Sequence, residues 1–433
     1  MKVLLVGNGA REHAIAEHLA RDCELYALMS KKNPAIAQLS KEHWLCDIED
    51  AEAVSKAISG RGFDLGFASP DAVLAAGVSD VLEKAGMLVA SPLKAAARIE
   101  WDKSFMRNLL ERHRIKGQPR HAVVTDSGNA RRAISDFGQV AVKPLGLTGG
   151  KGVKVSGDHF NHIDEKVEYA ESLIRKDGKV LIEEKLVGEE FTLQGFSDGS
   201  RIAAMPPVQD HKRAYAGDLG PNTGGMGSYS SGERLPFMES GELEEAKKIL
   251  QGVIHAMKKE GVPFRGVLYG QFILTAGGVK VIEFNARFGD PEAMNVLALL
   301  QDSLSNVFLS MAEGDLRPPR FLDDSTVVKY LVPEGYPDKP VKDAPVEIDA
   351  RGIEDSGAKL YYASVYEKGG RILTTGSRAF GVLGRAGSLE EAERVAEEGC
   401  RHIRGPVWHR SDIGKKSLLE AKVARMRSLR GKP

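Results

Sequence analysis

The chain has 433 residues, too many for one hydrophobic core, and reads as two to four domains. Its 60 basic residues balance 60 acidic ones, which removes any net field favouring nucleic acid or an anionic membrane. No apolar run approaches the ~18 residues of a membrane span, and Met1 leads into a strand pattern rather than a signal-like segment.

The first hundred residues alternate strand-like runs (KVLLVG, ELYALMS, DLGFAS, MLVASP) with helix-like ones (REHAIAEHLARD, AEAVSKAISGRG, AGVSDVLEKAG). Such alternation predicts a parallel sheet with helices on both faces, ending near Ser91-Pro92. Residues 95–113 are predicted helical, with Trp101, Phe105, Leu109 and Leu110 at core spacing. HAVVTD, QVAVKPLG, GVKVSG and KVLIEEKLVG are predicted strands of a second, α+β block with a helix over 163–176. A third block combines FTLQGFSD and RIAAMPPV as strands with helices over 242–260 and 291–313. After Pro318-Pro319, VVKYLV, KLYYASVYEKGGRILTTGS and FGVLGRAG read as antiparallel strands, with KGGR a hairpin turn. SLEEAERVAEEGCRHI is predicted helical, and LLEAKVARMRSLRGKP is expected to be a solvated terminal helix that frays. Cys23, Cys46 and Cys400 are scattered without CxxC spacing, which fits reduced structural thiols, a cytoplasmic setting and small-molecule partners.

LLVGNGAREHAI, residues 4–15, joins a strand to a helix through two glycines. A dinucleotide fingerprint would place a third glycine where Glu12 stands, and an acid after the second strand, where Ser30-Lys31-Lys32 offers none. Backbone N–H groups at the helix start, with Asn8 and Arg11, suit a phosphate. A turn that needs glycine only for positive φ suits the same residues, and on the loop alone both readings stand.

VAVKPLGLTGGKGVKV, residues 140–155, places Lys143 on a strand and Lys151 in a Gly149-Gly150-Lys151-Gly152 turn. A glycine-rich hairpin with lysines at both ends can fold over a nucleotide triphosphate, and this reading is preferred to a structural hairpin. In VLIEEKLVGEEFTL, Glu183 to Leu186 could present backbone groups to an adenine edge, and Glu190 could reach ribose hydroxyls. LYGQFILTAGGVKVIEFNARFGDPE, residues 268–292, is a hairpin in which Glu283 and Asn285 face one side. With a three-residue loop over 276–278, Gln271 lies opposite Glu283. One carboxylate with two amide oxygens suits Mg²⁺, and metal is preferred to a wet edge-strand face. VQDHKRAYAGDLGPNTGGMGSYS, residues 208–230, is expected to be a long substrate loop whose glycines let backbone approach a ligand. His211 and His13 are read as structural ahead of a general base or a phosphate ligand.

Together VGNGAREHA, GLTGGKGV, IEEKLVGEE, QDHKR, GPNTGGMGSY, VIEFNARFGDPE and RSDIG span nearly the whole chain in a characteristic order. In them the chain resembles the ATP-grasp superfamily and, within it, the phosphoribosylamine–glycine ligase (glycinamide ribonucleotide synthetase) family. The resemblance implies an α/β and α+β multidomain ATP-grasp fold. An N-terminal parallel-sheet substrate domain would cover 1–100 and a central ATP-grasp domain 101–118 with 191–320. A lid would cover 119–190 and a C-terminal β-rich domain 321–433.

It also implies ligation of glycine to 5-phosphoribosylamine with ATP and Mg²⁺ or Mn²⁺, in a monomer or weak dimer; another ATP-grasp carboxylate–amine ligase is the alternative. Carried over by position, Lys103, Lys143, Gly149, Gly150, Lys151, Glu183, Glu184, Lys185, Leu186 and Glu190 would bind ATP. Gln271, Glu283 and Asn285 would hold the metal. Asn8, Gly9, Arg11, Glu12, Asp71, Asp210, Lys212, Asn222, Thr223, Gly224, Gly225 and Arg287 would bind substrate, with Arg287, Lys151 and Asp290 catalytic. The chain departs from the common pattern at Ser69-Pro70-Asp71 (usually GPE), at Trp101-Asp102-Lys103 (usually GSK) and at Gln271, where many members carry a carboxylate.

Overall fold

The computed structural model describes residues 1–146 and 152–432. Strands β1 (Lys2–Val6), β2 (Glu24–Met29), β3 (Glu42–Leu45), β4 (Leu65–Ala68) and β5 (Leu88–Val89) form a parallel sheet of order β3-β2-β1-β4-β5. Helices α1 (Ala10–Leu19), α2 (Pro34–Leu39), α3 (Ala51–Ile58), α4 (Asp71–Ala76) and α5 (Val78–Lys84) connect them. The parallel sheet is as expected. Strand β3 was missed because EHWL is polar, half-buried and at the sheet edge.

The expected helix over 95–113 is two helices, α6 (Lys94–Trp101) and α7 (Lys103–Arg112). Asp102 divides them because its carboxylate caps α7, accepting from Phe105 N–H at 2.9 Å. Next come β6 (His121–Val124), α8 (Ser127–Phe137), β7 (Val140–Lys143), β8 (Lys154–Val155), α9 (Ile163–Asp177) and β9 (Val180–Glu184). They make an antiparallel sheet of order β6-β9-β7-β8 with a core of its own around Ile134, Val142, Leu173 and Ile182.

The central segment holds β10 (Glu189–Asp198), β11 (Ile202–Ala204), β12 (Gln209–Asp210), β13 (Arg213–Tyr215), β14 (Leu219–Asn222) and β15 (Gly227–Ser231). It continues through α10 (Glu242–Lys259), β16 (Arg265–Thr275), β17 (Gly278–Asn285), α11 (Glu292–Leu299) and α12 (Leu304–Glu313). Residues 208–230 are therefore not the structureless loop expected. β13 and β14 form a hairpin, while β12 and β15 join a larger sheet. The helix expected over 291–313 breaks at Leu300, which is extended, and restarts where Ser303 caps α12.

That larger sheet is completed by β18 (Ser325–Pro333). Beyond it lie β19 (Pro345–Ile348), α13 (Ala350–Asp355), β20 (Lys359–Tyr362), β21 (Val365–Lys368), β22 (Arg371–Thr374) and β23 (Phe380–Ala386). Helix α14 (Leu389–Arg401), strands β24 (Ile403–Arg404) and β25 (Val407–Trp408), and helix α15 (Lys416–Leu429) follow. The order β12-β15-β18-β23-β20, with β25 adding to β18, ties residues 209–231 to the C-terminal third of the chain. The KGGR turn is as expected, with Lys368 paired to Arg371.

Helix α15 corrects the expectation of a fraying tail. Lys422 and Met426 are buried, Lys422 Nζ lies 3.1 Å from Glu189 Oε2 and 2.9 Å from Asp218 Oδ2, and Arg430 pairs with Glu242. Leu419, Val423 and Met426, at i, i+4 and i+7, pack on the main core, and the ion pairs add to that docking. All three cysteines are free thiols. Among the described residues no helix is long and apolar enough to cross a membrane.

Candidate active site

Sheet β11-β10-β16-β17 has one apolar and one polar face. Phe191, Leu193, Phe272 and Phe284 are buried on the apolar side, where Phe191 and Phe272 stack at 5.3 Å. The alternate positions are polar: Glu190, Thr192 and Gln194 on β10, Tyr269 and Gln271 on β16, Glu283 and Asn285 on β17. Cross-strand partners Thr192–Gln271–Glu283 and Gln194–Tyr269–Asn285 place them in rows on one face.

The expected pairing of Gln271 with Glu283 is present, but not for the expected reason. Thr275 pairs with Gly278 around a two-residue turn, so the ladder begins one residue tighter than a 276–278 loop would make it. A bulge between Gln271 and Phe272 on one strand, and Glu283 and Val281 on the other, inserts Ile282 and restores the register. Buried positions on β17 accordingly shift parity, from Val279 and Val281 to Phe284.

Charges surround this face. Glu283 stays ionised: burial alone would raise its pKa, but Lys212, Lys103, Lys143 and Arg287 together hold it below the usual carboxylate range. Lys103, buried at the start of α7, donates to Gly146 O at 3.3 Å, and burial lowers its pKa. Lys143 Nζ and Arg107 Nε each lie 2.6 Å from a Glu183 oxygen. Glu183 is thus locked in a buried triad, Glu184 pairs with Arg120, and Lys185 Nζ donates to Ser156 O at 2.6 Å. The amides of Glu184 and Lys185 also donate, to Arg120 O and Gln139 O, so they present no free N–H to an adenine edge. Leu186 follows directly, half-buried. Gly149, Gly150 and Lys151 lie outside the described residues.

Glu190 accepts from Gln271 Nε2 at 2.6 Å and lies 3.8 Å from Lys212 Nζ. Lys212 is held protonated by Glu190, Asp210, Glu283 and Glu292, which outweigh its burial. Asp210 is raised well above the usual range by burial and by Glu292, and its Oδ1 has no partner among the described residues. Arg287 pairs with Glu100 at 3.2 Å and donates to Asn285 Oδ1 at 3.3 Å, while its Nε is buried with no partner among the described residues. Asp71, in the first turn of α4, adds its charge to that of Glu100 beside Arg287. Both oxygens of Asp290 are engaged, by Tyr330 O–H and by Arg378, so it ties the FGDPE turn to the C-terminal sheet.

In the opening loop the side chain of Glu12 folds back beneath the backbone. It accepts from Gly9 N–H at 2.6 Å and from Ser69 Oγ at 2.5 Å, and pairs with Arg11 at 2.6 Å. Gly7, at φ +138°, is required because a Cβ would stand 2.6 Å from Glu12 Cγ. Arg11 donates to Phe288 O at 2.9 Å, joining α1 to the FGDPE turn, and Asn8 Oδ1 accepts from Ser30. His13 Nδ1 accepts from Tyr362 N–H, and burial lowers its pKa to about 4, so it is a neutral structural pin. His211, against Asp218, is also lowered by burial.

The glycines of GPNTGGMG make room for the protein itself. A Cβ on Gly225 would meet Asp210 Oδ1 at 2.6 Å, and one on Gly227 the Val328 carbonyl at 2.2 Å. Thr223 N–H and Oγ1 donate to Lys212 O, Asn222 pairs with Arg213, and Arg378 donates to the carbonyls of Gly224 and Gly225. These bonds fix the peptide that carries Asp210 and Lys212. Sequence reasoning missed Arg107, Glu100 and Glu292, three buried charged residues on helices where charge reads as solvent-facing.

Among the described residues no cluster of three or more His, Cys, Asp or Glu side chains is arranged to hold a metal. The donors present are all oxygen: the Glu283 carboxylate and the amide carbonyls of Asn285 and Gln271, whose nitrogen is turned to Glu190. That set fits a hard divalent cation that completes its shell with water and phosphate oxygens.

An antiparallel sheet with this lysine-rimmed polar face, beside a second four-stranded antiparallel sheet that carries Lys143, defines an ATP-grasp enzyme. Family profiles described as phosphoribosylglycinamide synthetase match as the N domain over residues 1–100, the ATP-grasp (A) domain over 101–293 and the C domain over 326–416. The chain is 49% identical to the phosphoribosylamine–glycine ligase of Methanosarcina acetivorans, over 100% of this chain and 98% of that protein. It is 48% identical to the enzyme of that name from Pyrococcus horikoshii, over 99% and 98%. The crystal structure of phosphoribosylamine–glycine ligase from Thermotoga maritima superposes with a TM-score of 0.81 at 26% identity, covering 95% of this chain and 100% of that one. The chain belongs to the phosphoribosylglycinamide synthetase family.

Proposed function

We propose that this protein ligates glycine to 5-phosphoribosylamine at the expense of ATP, giving glycinamide ribonucleotide, ADP and phosphate in purine biosynthesis. The observation that carries the reading is the polar sheet face on which Lys103, Lys143, Lys212 and Arg287 converge on the ionised Glu283. A carboxylate oxygen of glycine attacks the γ-phosphorus of ATP as the bond to ADP breaks. The amine of phosphoribosylamine then attacks the acyl carbon of glycyl phosphate, and inorganic phosphate leaves. No protein nucleophile is needed; positioning and charge neutralisation carry both steps.

Lys103 and Lys143 neutralise the nucleotide phosphates, joined by Lys151, Gly149 and Gly150. Adenine recognition falls to Leu186, since the Glu183, Glu184 and Lys185 side chains are engaged within the protein. Glu190, exposed at the start of β10, meets the ribose. Arg287 Nε, buried and without a partner among the described residues, donates to the glycine carboxylate or the transferred phosphoryl group. Asp210 and Lys212 flank the amine-transfer end, where Asp210 Oδ1 accepts from a substrate N–H. Asn8, Arg11 and the first turn of α1 receive the 5′-phosphate, with Glu12 holding Gly9 and Arg11 in place beneath it and Asp71 on the sugar side. Glu283, Asn285 and Gln271 hold Mg²⁺ or Mn²⁺, which when bound neutralises phosphate charge. Residues 119–190 act as the lid that keeps water from the acyl phosphate.

The test is ADP release with ATP, glycine and freshly prepared phosphoribosylamine, each omitted singly. Release that requires both glycine and phosphoribosylamine is expected. Turnover without dependence on glycine would assign the site to another carboxylate–amine ligase.

A further inference from the structure

Glu283 and Asn285 reach the polar face only because of the bulge at Ile282. From Thr275–Gly278 to Phe272–Val281, paired residue numbers sum to 553; from Gln271–Glu283 to Tyr269–Asn285 they sum to 554. Were the same sequence paired without a bulge, the first register would continue. Ile282 and Phe284 would then lie opposite Gln271 and Tyr269, and both polar ligands would turn into the apolar core.

A β-bulge leaves backbone groups outside the regular ladder. Here the Gly117 carbonyl accepts the Val281 N–H at 2.7 Å, and a single side chain collects the carbonyls. Arg107 Nη2 donates to the carbonyls of Val281 at 3.1 Å and Ile282 at 2.9 Å, the two residues at the break. Its Nε donates to Glu183 at 2.6 Å, and Glu183 in turn grips Lys143 at 2.6 Å. Arg107 is completely buried, and it stands one helical turn after Lys103 on the same face of α7. One guanidinium therefore ties together the strand break beneath Glu283, the strand that carries Lys143 and the helix that carries Lys103. Bonding to two carbonyls and a carboxylate at once needs the planar, multi-donor fork of arginine; an ammonium has neither the reach nor the spread.

We propose that Arg107 is a positioning residue that holds the Ile282 bulge and so sets Glu283 and Asn285 toward the metal. The proposal rests on the reading of Glu283 and Asn285 as metal ligands.

The test uses the full chain and reads Mn²⁺ binding, by the electron paramagnetic resonance signal of free Mn²⁺ in the presence of ADP, without turnover. Arg107→Lys keeps the charge beside Glu183 and is expected to weaken Mn²⁺ binding by at least about tenfold, as loss of groups that orient metal ligands does. Hydrogen exchange should quicken in the 278–286 peptide and stay unchanged in α14. Deleting Ile282 makes the ladder regular, with Glu283 and Asn285 on the polar face without a bulge to hold. In that background Arg107→Lys should bind Mn²⁺ as well as its Arg107 parent. Wild-type Mn²⁺ affinity in Arg107→Lys, or a deficit that the deletion leaves in place, overturns the proposal. If Arg107→Lys fails to fold, folding in the deletion background supports it, and failure in both overturns it. Glu283→Gln separates the two levels: if that variant also binds Mn²⁺ normally, it is the metal reading that falls.

Discussion

Replacing Lys422 by methionine tests whether helix α15 is a working part of the molecule. Lys422 is 8% exposed and its ammonium bridges Glu189 at 3.1 Å and Asp218 at 2.9 Å. Stripping a buried carboxylate of its only partner costs about 3–5 kcal/mol. Neither carboxylate is stripped here. Glu189 keeps Arg425 at 3.0 Å and Gln209 at 3.3 Å, and Asp218 keeps Arg410 at 2.9 Å and His211 at 3.2 Å. What is lost is two charge-assisted bonds of about 1.5–3 kcal/mol each, offset by the lysine no longer being desolvated. Methionine preserves the aliphatic volume, so no cavity term enters. The net expectation is a loss of about 2–3 kcal/mol, read as a lowered guanidinium midpoint at unchanged slope. Glu189 precedes Glu190, and Asp218 lies in the β13–β14 turn, so KM for ATP should rise as well. A midpoint within about 0.5 kcal/mol of the parent, with unaltered KM, would return α15 to the status of a loose tail.

Glu283→Gln should raise the divalent cation concentration needed for half-maximal rate by at least about tenfold, measured at saturating ATP; an unchanged requirement removes Glu283 from the metal site. Arg287→Ala should lower kcat/KM for glycine by about 100-fold, and unaltered turnover would end its proposed role. Acid stability offers a third check. Burial would raise the pKa of Glu183, but Arg107 and Lys143 depress it from 4.5 to about 2. A depressed carboxylate contributes stability that is complete above its unfolded pKa and fades as pH falls toward the folded one. Glu183 should thus contribute about 3 kcal/mol above pH ~4.5, lost progressively down to pH ~2. Denaturant titrations of Glu183→Gln should show a shallower loss of stability across that window, and an identical slope contradicts the assignment.

The polar face was legible because strand alternation is robust: Glu190, Thr192, Gln194, Tyr269 and Gln271 sit two apart on their strands among buried apolar neighbours. The hairpin was legible in position but not in detail. A tighter turn and a bulge shift the register by one residue each in opposite senses, so the Gln271–Glu283 pairing survives an incorrect loop length. The parity change from Val279 and Val281 to Phe284 was the available signal. Buried charge was the harder case. Arg107, Glu100 and Lys422 lie on helices where a charged residue ordinarily faces water, and only their distant partners, Glu183, Arg287 and Glu189, explain their burial. The QDHKR–GMG segment looked unstructured because its strands are two to five residues long, and β15, which ties it to the larger sheet, finds its partner roughly a hundred residues on, at β18.

The pairing of β15 with β18 also bears on how the protein can be taken apart. Gly227–Ser231 bonds along its whole length to Ser325–Lys329. A fragment ending before β18 would keep the nucleotide-facing sheet yet leave β15 an open edge, a template for self-association rather than a smaller working enzyme. The same edge makes the two pieces mutually complementary. Co-expressed halves divided in the segment between α12 and β18 have a ready-made seam along which to rejoin, so the molecule is better suited to a split-protein reporter than to domain trimming.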